Sequence, residues 1–338
     1  MAKVSVVVPN WNGADSLPSC LDSLLSQANP ANTIVVDNGS TDSSVKLLSV
    51  HYPQVETLQL NANAGFAGGV NLGISHATEQ GADYVALLNN DAVADKHWLK
   101  YLVRYLDKHP KAGIVTSKIL DKTGQTVDST GEMYTTWGLS YPRGRGEQAR
   151  DKYDQATEVF GASGAASLYR VKMLKQIGLF DKDFFAYYED MDISFRAQLA
   201  GWKVGYQPKA LVYHQIGATT GKIMDFTTYQ TMKNLPWLIW KNVPAPLLPS
   251  ILPRFTLAYL GFYFSAIRRG QFWPASKGLL ISTLKWPKKL VQRYTIQKNR
   301  KVIPAYINSI VVHDLPPNAR KLRVLRNKWW RFRGRGPK

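Results

Sequence analysis

Two acidic groups about a hundred positions apart are the residues best suited to chemistry. The first is Asn89-Asn90-Asp91, which follows the apolar run Tyr84–Leu88. A carboxylate at the end of a buried strand, beside an amide, suits a hard divalent cation such as Mg²⁺ or Mn²⁺, which takes oxygen ligands and bridges diphosphate oxygens. The same position suits equally well the cap of a helix signalled by Trp98, Leu99 and Leu102. The second group is Glu189-Asp190-Met191-Asp192, which follows the aromatic run Phe184-Phe185-Ala186-Tyr187-Tyr188. It opens a helix whose apolar members Ile193, Phe195 and Leu199 precede Gly201. Acids in a first helical turn are favoured by the macrodipole, but three in four residues exceed what capping needs. Aromatic neighbours desolvate a carboxylate and raise its pKa toward that of a useful base. Asp192 has Arg196 four residues on and is expected to pair with it.

These groups need elements to hold them. Val4–Val8, Thr33–Asp37, Glu56–Leu60 and Tyr84–Leu88 read as strands. Between them, Leu17–Leu25, Ser43–Val50 and Gly68–Gln80 read as helices. This β-α-β-α-β-α-β alternation predicts a parallel sheet covered on both faces, with every strand's C-terminal end along one edge. Ligands of such sheets bind outside that edge. Each strand end there carries Asn, Gly and Asp: Pro9-Asn10-Trp11-Asn12-Gly13, Asp37-Asn38-Gly39-Ser40-Thr41-Asp42, Asn61 to Gly69, and Asn89-Asn90-Asp91. Such residues also serve ordinary turns and caps. Four loops facing one crevice supply amides, carboxylates and N–H donors suited to a nucleotide. No G-x-G-x-x-G follows the first strand and no G-x-x-x-x-G-K-[ST] is present, which argues against a dinucleotide fingerprint and a P-loop.

In combination, Val6-Val7-Val8-Pro9-Asn10-Trp11-Asn12, Val36 to Asp42, Asn63 to Gly69 and Leu88 to Asp91 resemble glycosyltransferase family 2, in its rhamnosyltransferase-like and galactofuranosyltransferase-like branch. The resemblance continues through Gly161 to Gly164, Gly178 to Asp181, Phe185 to Asp192 and Tyr213-His214, and so covers roughly residues 3–220. It implies a GT-A fold (α/β, Rossmann-like, a mostly parallel sheet with helices on both faces), a nucleotide-sugar donor, Mg²⁺ or Mn²⁺, and inversion at the anomeric carbon. By resemblance, Pro9, Asn10 and Asn12 line the nucleotide pocket and Asp37 contacts the base. Asn63, Gly65, Phe66 and Asn90 belong to donor binding. Asp91 and His214 are the expected metal ligands. Asn89 stands where the family's metal motif has its first Asp. Asp190 is the expected base, with Glu189 positioning a substrate. The remaining histidines are expected to be structural or solvated, and Cys20 to be core.

The net charge of +19 is unevenly placed. Residues 231–338 hold 22 Lys and Arg against one acid, Asp314, so the preceding 230 residues are close to neutral. A single cysteine excludes an intrachain disulfide and suits a reducing compartment. The first residues read as a strand and not as a leader. The division expected is a catalytic domain over residues 1–230 and a basic, aromatic, mainly helical membrane-associating region over 231–338. Aromatics interleaved with Lys and Arg, from Trp237 to Trp329-Trp330, suit an anionic bilayer surface; the same composition suits nucleic acid, or a helical subdomain whose aromatics pack its core while the basic residues stay solvated. Prolines 236, 244, 246, 249 and 253 forbid one long helix. Residues 121–158, polar and glycine-rich, read as a loop or lid over the acceptor side, with Trp137 and Tyr141 available to a sugar and Arg143 and Arg145 to a diphosphate; a solvated surface loop accounts for each of these residues at least as well.

The expected activity is inverting, metal-dependent transfer of a sugar, with dTDP-rhamnose favoured as donor, to a polyprenyl-diphosphate-linked glycan. The expected place is the cytoplasmic face of a bacterial inner membrane, held peripherally, and nucleic acid is not an expected partner. The competing reading is a non-enzymatic nucleotide-binding adaptor whose basic arm takes nucleic acid. A processive synthase is disfavoured, because no spanning helix and no Q-x-x-R-W sequence is seen.

Overall fold

A computed structural model describes residues 2–149, 151–215, 223–317, 319, 323, 324 and 327. The four expected strands are present as β1 (Val4–Asn10), β2 (Asn32–Asp37), β3 (Glu56–Gln59) and β4 (Tyr84–Leu88). They alternate with α1 (Leu17–Leu25), α2 (Ser44–His51) and α3 (Gly65–Glu79). Then follow β5 (Ala92–Ala94), α4 (Trp98–Lys108), β6 (Ala112–Asp121), β7 (Val127–Ser129), β8 (Glu132–Tyr134), β9 (Ser140–Pro142) and β10 (Thr157–Val159). β11 (Ala166–Arg170), α5 (Val171–Ile177), α6 (Glu189–Leu199) and β12 (Lys203–His214) complete the sheet-bearing part.

The main sheet runs β10-β12-β6-β11-β4-β1-β2-β3, with β5 on β12 and β7 on β6. β1, β2, β3 and β4 are parallel neighbours, whereas β11 is antiparallel to both β4 and β6. Strand periodicity sorts each run between two cores. Val6, Val8, Ala86 and Leu88 join α1 and α4 on one face, while Val7, Val85 and Leu87 join α3 and α5 on the other. Both faces are covered at the centre of the sheet, so β4 is apolar throughout rather than alternating, whereas the edge strand β3 reads Glu-Thr-Leu-Gln.

Three features differ from the sequence reading. α3 begins at Gly65, so the glycines form its first turn instead of a loop before it. Gly65 has φ +74, and any Cβ there would run into Phe185. Asp91 caps no helix: β5 intervenes and α4 starts at Trp98. Residues 121–158 are not one loop, for they contain β7 to β9 and the start of β10, with β8 and β9 pairing as a separate hairpin.

The C-terminal part is helical, as its composition suggests: α7 (Phe226–Asn242), α8 (Leu248–Arg268), α9 (Phe272–Leu284), α10 (Trp286–Lys298) and α11 (Pro304–Ile310). The chain breaks helix at Pro244 and Pro246, while Pro236 and Pro253 sit inside α7 and α8. The composition change at residue 231 falls inside α7. Leu235, Trp237, Leu238 and Ile239 of α7 share one core with Phe184, Met191, Phe195 and Leu199. Truncating a fully buried aromatic such as Trp237 costs about 3–5 kcal/mol, so this contact holds the helices firmly to α6. Trp137 lies in the same core and is not available to a sugar, because the C-terminal helices cover the segment that carries it. Trp329, Trp330 and the tail 331–338 lie outside the described residues.

Candidate functional site

The C-terminal ends of β1, β4 and β12 open on a cavity of about 490 Å³. Pro9, Asn10, Asn63, Gly65, Phe66, Asn90, Asp91, Glu189, Asp190 and His214 all line it. Side-chain amides lash these strand-end loops together. Asn90 donates to Asn10 Oδ1 at 2.7 Å, and Asn10 donates to Asp37 Oδ1 at 3.0 Å. Asn38 donates to Asn63 Oδ1 and the Gly65 carbonyl at 3.1 and 3.0 Å and accepts from the Ala64 N–H at 2.9 Å. Asp37 and Asn12 stand behind these residues and are not among those lining the cavity. Asp37 is buried and takes the Ser40 N–H at 3.1 Å, and Asn12, at φ +51, takes the Thr41 N–H at 2.7 Å.

Asp91 and His214 meet within this cavity. His214 Nε2 is 3.1 Å from Asp91 Oδ1 and its Nδ1 is 2.7 Å from Asp128 Oδ2. Arg145 donates to the other Asp128 oxygen at 2.6 Å. Burial opposes the charge on Asp128, but His214 and the Arg145 guanidinium outweigh it and hold the carboxyl below its ordinary value. Burial likewise disfavours the His214 proton, yet hydrogen bonds to Asp128 and Asp91 push the imidazole up to about 9.

The donor chemistry here fits a divalent cation. Asp91 offers a carboxylate oxygen, and Asp128 holds His214 Nδ1–H, so that Nε2 is the atom a cation would take in exchange for its proton. Asn89, in the same lining, has its Oδ1 buried without a partner among the described residues. Among the described residues no three His, Cys, Asp or Glu side chains are arranged to hold an ion alone. Water or the oxygens of a bound ligand would supply the rest of the shell, as Mg²⁺ and Mn²⁺ sites commonly allow.

A second set of carboxyls shares the cavity. Asp190 Oδ2 accepts the Gly164 N–H at 3.0 Å and Oδ1 the Met191 N–H at 2.7 Å. Burial nonetheless raises its pKa. Burial and then the Asp190 charge push Glu189 up to about 8, and its buried Oε2 has no partner among the described residues. A preceding loop with positive φ at Phe185, Tyr187 and Tyr188 delivers both residues. Asn234 of α7 holds that loop by its Phe184, Ala186 and Tyr187 carbonyls at 2.8–3.0 Å. Asp192 faces away from this set and pairs with Arg196 at 2.9 Å, as the i,i+4 spacing predicts.

Sequence reasoning did not single out Glu132, Asp128 or Asn38. Glu132 lines the cavity and pairs with Gly161 through two 2.8 Å backbone bonds, and burial followed by the Asp190 charge pushes it up to about 8. Its signal was weak, one acid in a three-residue strand with no periodicity.

The profile described as glycosyl transferase family 2 matches residues 5–178. The chain belongs to this family. It is 29% identical to an N-acetylglucosaminyl-diphospho-decaprenol L-rhamnosyltransferase of Mycobacterium tuberculosis over 237 residues, 64% of this chain and 77% of that one. Two solved structures share its GT-A fold. S. aureus TarS 1–349 in complex with UDP-GlcNAc superposes with TM-score 0.55 at 18% identity, over 88% of this chain and 90% of that one. GalNAc-T7 with UDP, GalNAc and Mn²⁺ superposes with TM-score 0.56 at 14% identity, over 91% and 58%. This family 2 glycosyltransferase thus carries the family's strand-end loops on the family's fold, and no helix among its described residues is long and apolar enough to cross a membrane.

Proposed function

We propose that this glycosyltransferase works by inversion and with a divalent metal, moving a sugar from a nucleotide-sugar donor to a lipid-linked glycan in bacterial surface-polysaccharide synthesis. The observation that carries the reading is that Asp91 with His214, and Asp190 with Glu189, line one cavity. dTDP-rhamnose as donor and a polyprenyl-diphosphate-linked acceptor are supported by the name of the mycobacterial relative. The Mn²⁺ complex of the GalNAc-T7 neighbour supports the metal. The C-terminal helices hold the enzyme peripherally on the cytoplasmic face of the membrane in this reading.

Asp190 is the base. The acceptor hydroxyl gives its proton to the Asp190 carboxylate as its oxygen attacks the anomeric carbon. The bond from that carbon to the diphosphate breaks, and the nucleoside diphosphate leaves with the electron pair. One displacement inverts the configuration. Glu189 and Glu132, with pKa values near 8, hold their protons at neutral pH. The negative charge falls to Asp190, which of the three takes two backbone N–H groups. Glu189 positions a substrate through its unpartnered oxygen. Asp91, His214 and the Asn89 oxygen would hold the cation, which when bound supplies charge neutralisation to the departing diphosphate. Asn10, Asn63, Gly65, Phe66 and Asn90 hold the donor, with Pro9 beside them, while Asp37 and Asn12 brace the pocket's outer loops.

A thermal-shift panel of nucleotide sugars with Mg²⁺ or Mn²⁺, followed by transfer to a GlcNAc-diphospho-polyprenol, tests the reading. Metal-dependent stabilisation by a dTDP-sugar and a longer lipid-linked product are expected. Stabilisation by no nucleotide with either metal would leave the adaptor reading ahead.

A further inference from the structure

The outward faces of α8, α9 and α10 are unusual for a protein surface. Thirteen of the twenty exposed large apolar side chains among the described residues lie on these three helices. Scattered exposed apolar residues are normal, but a concentration of this kind marks an interaction surface. Residues 226–313 also contain thirteen Lys and Arg and no acid; Lys233, Lys241 and Lys289 among them are buried, and Lys285 and Lys288 pair with Asp183, which leaves eight to face a partner.

The chemistry selects among partners. A nucleic-acid backbone uses the cations but has no use for Leu257, Leu280 or Val291, which are 55–69% exposed. A second copy of this chain would set cation against cation. An anionic bilayer takes both, with Trp and Tyr at the headgroups, aliphatic tips below them and Lys and Arg against the phosphates.

One corner of this surface is wired to the cavity. In the α8–α9 turn, Gln271 donates to Asp225 Oδ1 at 2.8 Å and accepts from Thr228 Oγ1 at 2.9 Å. The segment it holds carries Ile223 and Phe226, both lining the cavity. Beside it stand the most exposed apolar side chains of the region, Met224 at 87% and Trp273 at 79%, with Phe272 at 43%. Arg268 and Arg269 are exposed at the same turn.

We propose that the α8–α9 corner, with Trp273, Phe272 and Met224 as its apolar tip and Arg268 and Arg269 as its anion contacts, enters the headgroup region of an anionic bilayer and so sets the α7 rim of the cavity at the membrane. A lipid-linked acceptor then reaches Asp190 without leaving the bilayer. That consequence rests on the lipid-linked reading of the acceptor; the docking itself does not, and it is tested without substrate.

The full chain is sedimented with phosphatidylcholine vesicles, with and without phosphatidylglycerol, at physiological ionic strength. Binding is expected only with phosphatidylglycerol, and Phe272→Ser with Trp273→Ser is expected to weaken it by about tenfold or more, the equivalent of re-exposing one large apolar side chain. Trp273 is 79% exposed, so Trp273→Ser alone should leave the melting temperature unmoved and still weaken binding. Cys20 is buried, so a Met224→Cys protein labels at one site with an environment-sensitive dye. That dye should shift to the blue and be quenched by brominated lipid, while the same dye at Val50→Cys should not respond. Undiminished binding by the double variant, a dye at position 224 that stays in water on bound protein, oligonucleotide binding in place of vesicle binding, or a dimer that the double variant dissolves would each overturn the proposal. Loss of transferase activity with every donor would count against the catalytic reading and leave these results standing.

Discussion

Gly164 donates its backbone N–H to Asp190 Oδ2 at 3.0 Å, while the next residue, Ala165, takes the N–H of Asn89 at 2.9 Å. Two adjacent residues at the entry to β11 thus register the acid of α6 against the metal-type motif of β4. Gly164 has little room for a side chain, since a Cβ there would lie 3.3 Å from Phe66 and 3.5 Å from the Asp190 Cβ. The two acidic groups are therefore tied to each other by backbone hydrogen bonds at the edge of the sheet.

Asp91→Ala removes the one carboxylate that fits the cation in this reading. Titration calorimetry with a nucleoside diphosphate should show binding in the presence of Mn²⁺ for the wild type and its loss in the variant. Unchanged Mn²⁺-dependent binding would remove Asp91 from the site.

Asp128→Ala should act through His214. It leaves the ring without the partner that fixes Nδ1–H, and loss of such a partner weakens metal affinity by about 10–100-fold. Mn²⁺ titration of the variant measures this, and an unchanged affinity would make the Asp128–His214 contact purely structural.

Glu189 gives a pH signature. Burial and the neighbouring Asp190 charge push its carboxyl up to about 8 from an ordinary 4.5. Between those values the folded state keeps a proton that the unfolded state has lost, so stability falls as pH rises through the window and levels off above it. Glu189→Gln should flatten this slope in melting temperature from pH 5 to pH 8. Glu132 contributes in the same direction, so some slope should remain. A slope identical to wild type would contradict the assignment.

Lys241 ties the C-terminal helices to α6. Buried, it contacts Asp181 at 2.7 Å and Asp192 at 2.8 Å. Lys289 of α10 adds 2.8 Å contacts to Asp181 and Asp183. Removing one partner of such a set leaves buried charge unpaired and costs about 3–5 kcal/mol. Lys241→Met should lower the urea midpoint accordingly, and a change within error would show that the network is compensated.

Much of this was legible in the sequence because it is local. The β-branched runs of β1, β2 and β4 and the Asn and Gly at their ends lie within the first 91 residues, where strand, turn and helix signals follow in order. Asp128 was not legible, because its meaning comes from His214, 86 residues away. Glu132 sits in a three-residue strand whose pairing with Gly161 no period announces. Trp137 misled for a related reason: in a polar stretch it looks free, and only helices that follow about a hundred residues later in the chain bury it.

The most direct test of the central claim is a transfer assay on Asp190→Asn with nucleoside-diphosphate affinity measured on the same preparation. Asn keeps the shape but cannot take the acceptor proton. A fall in turnover of about a hundredfold or more, with metal-dependent affinity for the nucleoside diphosphate unchanged, is the predicted result. Wild-type turnover by that variant would contradict the account.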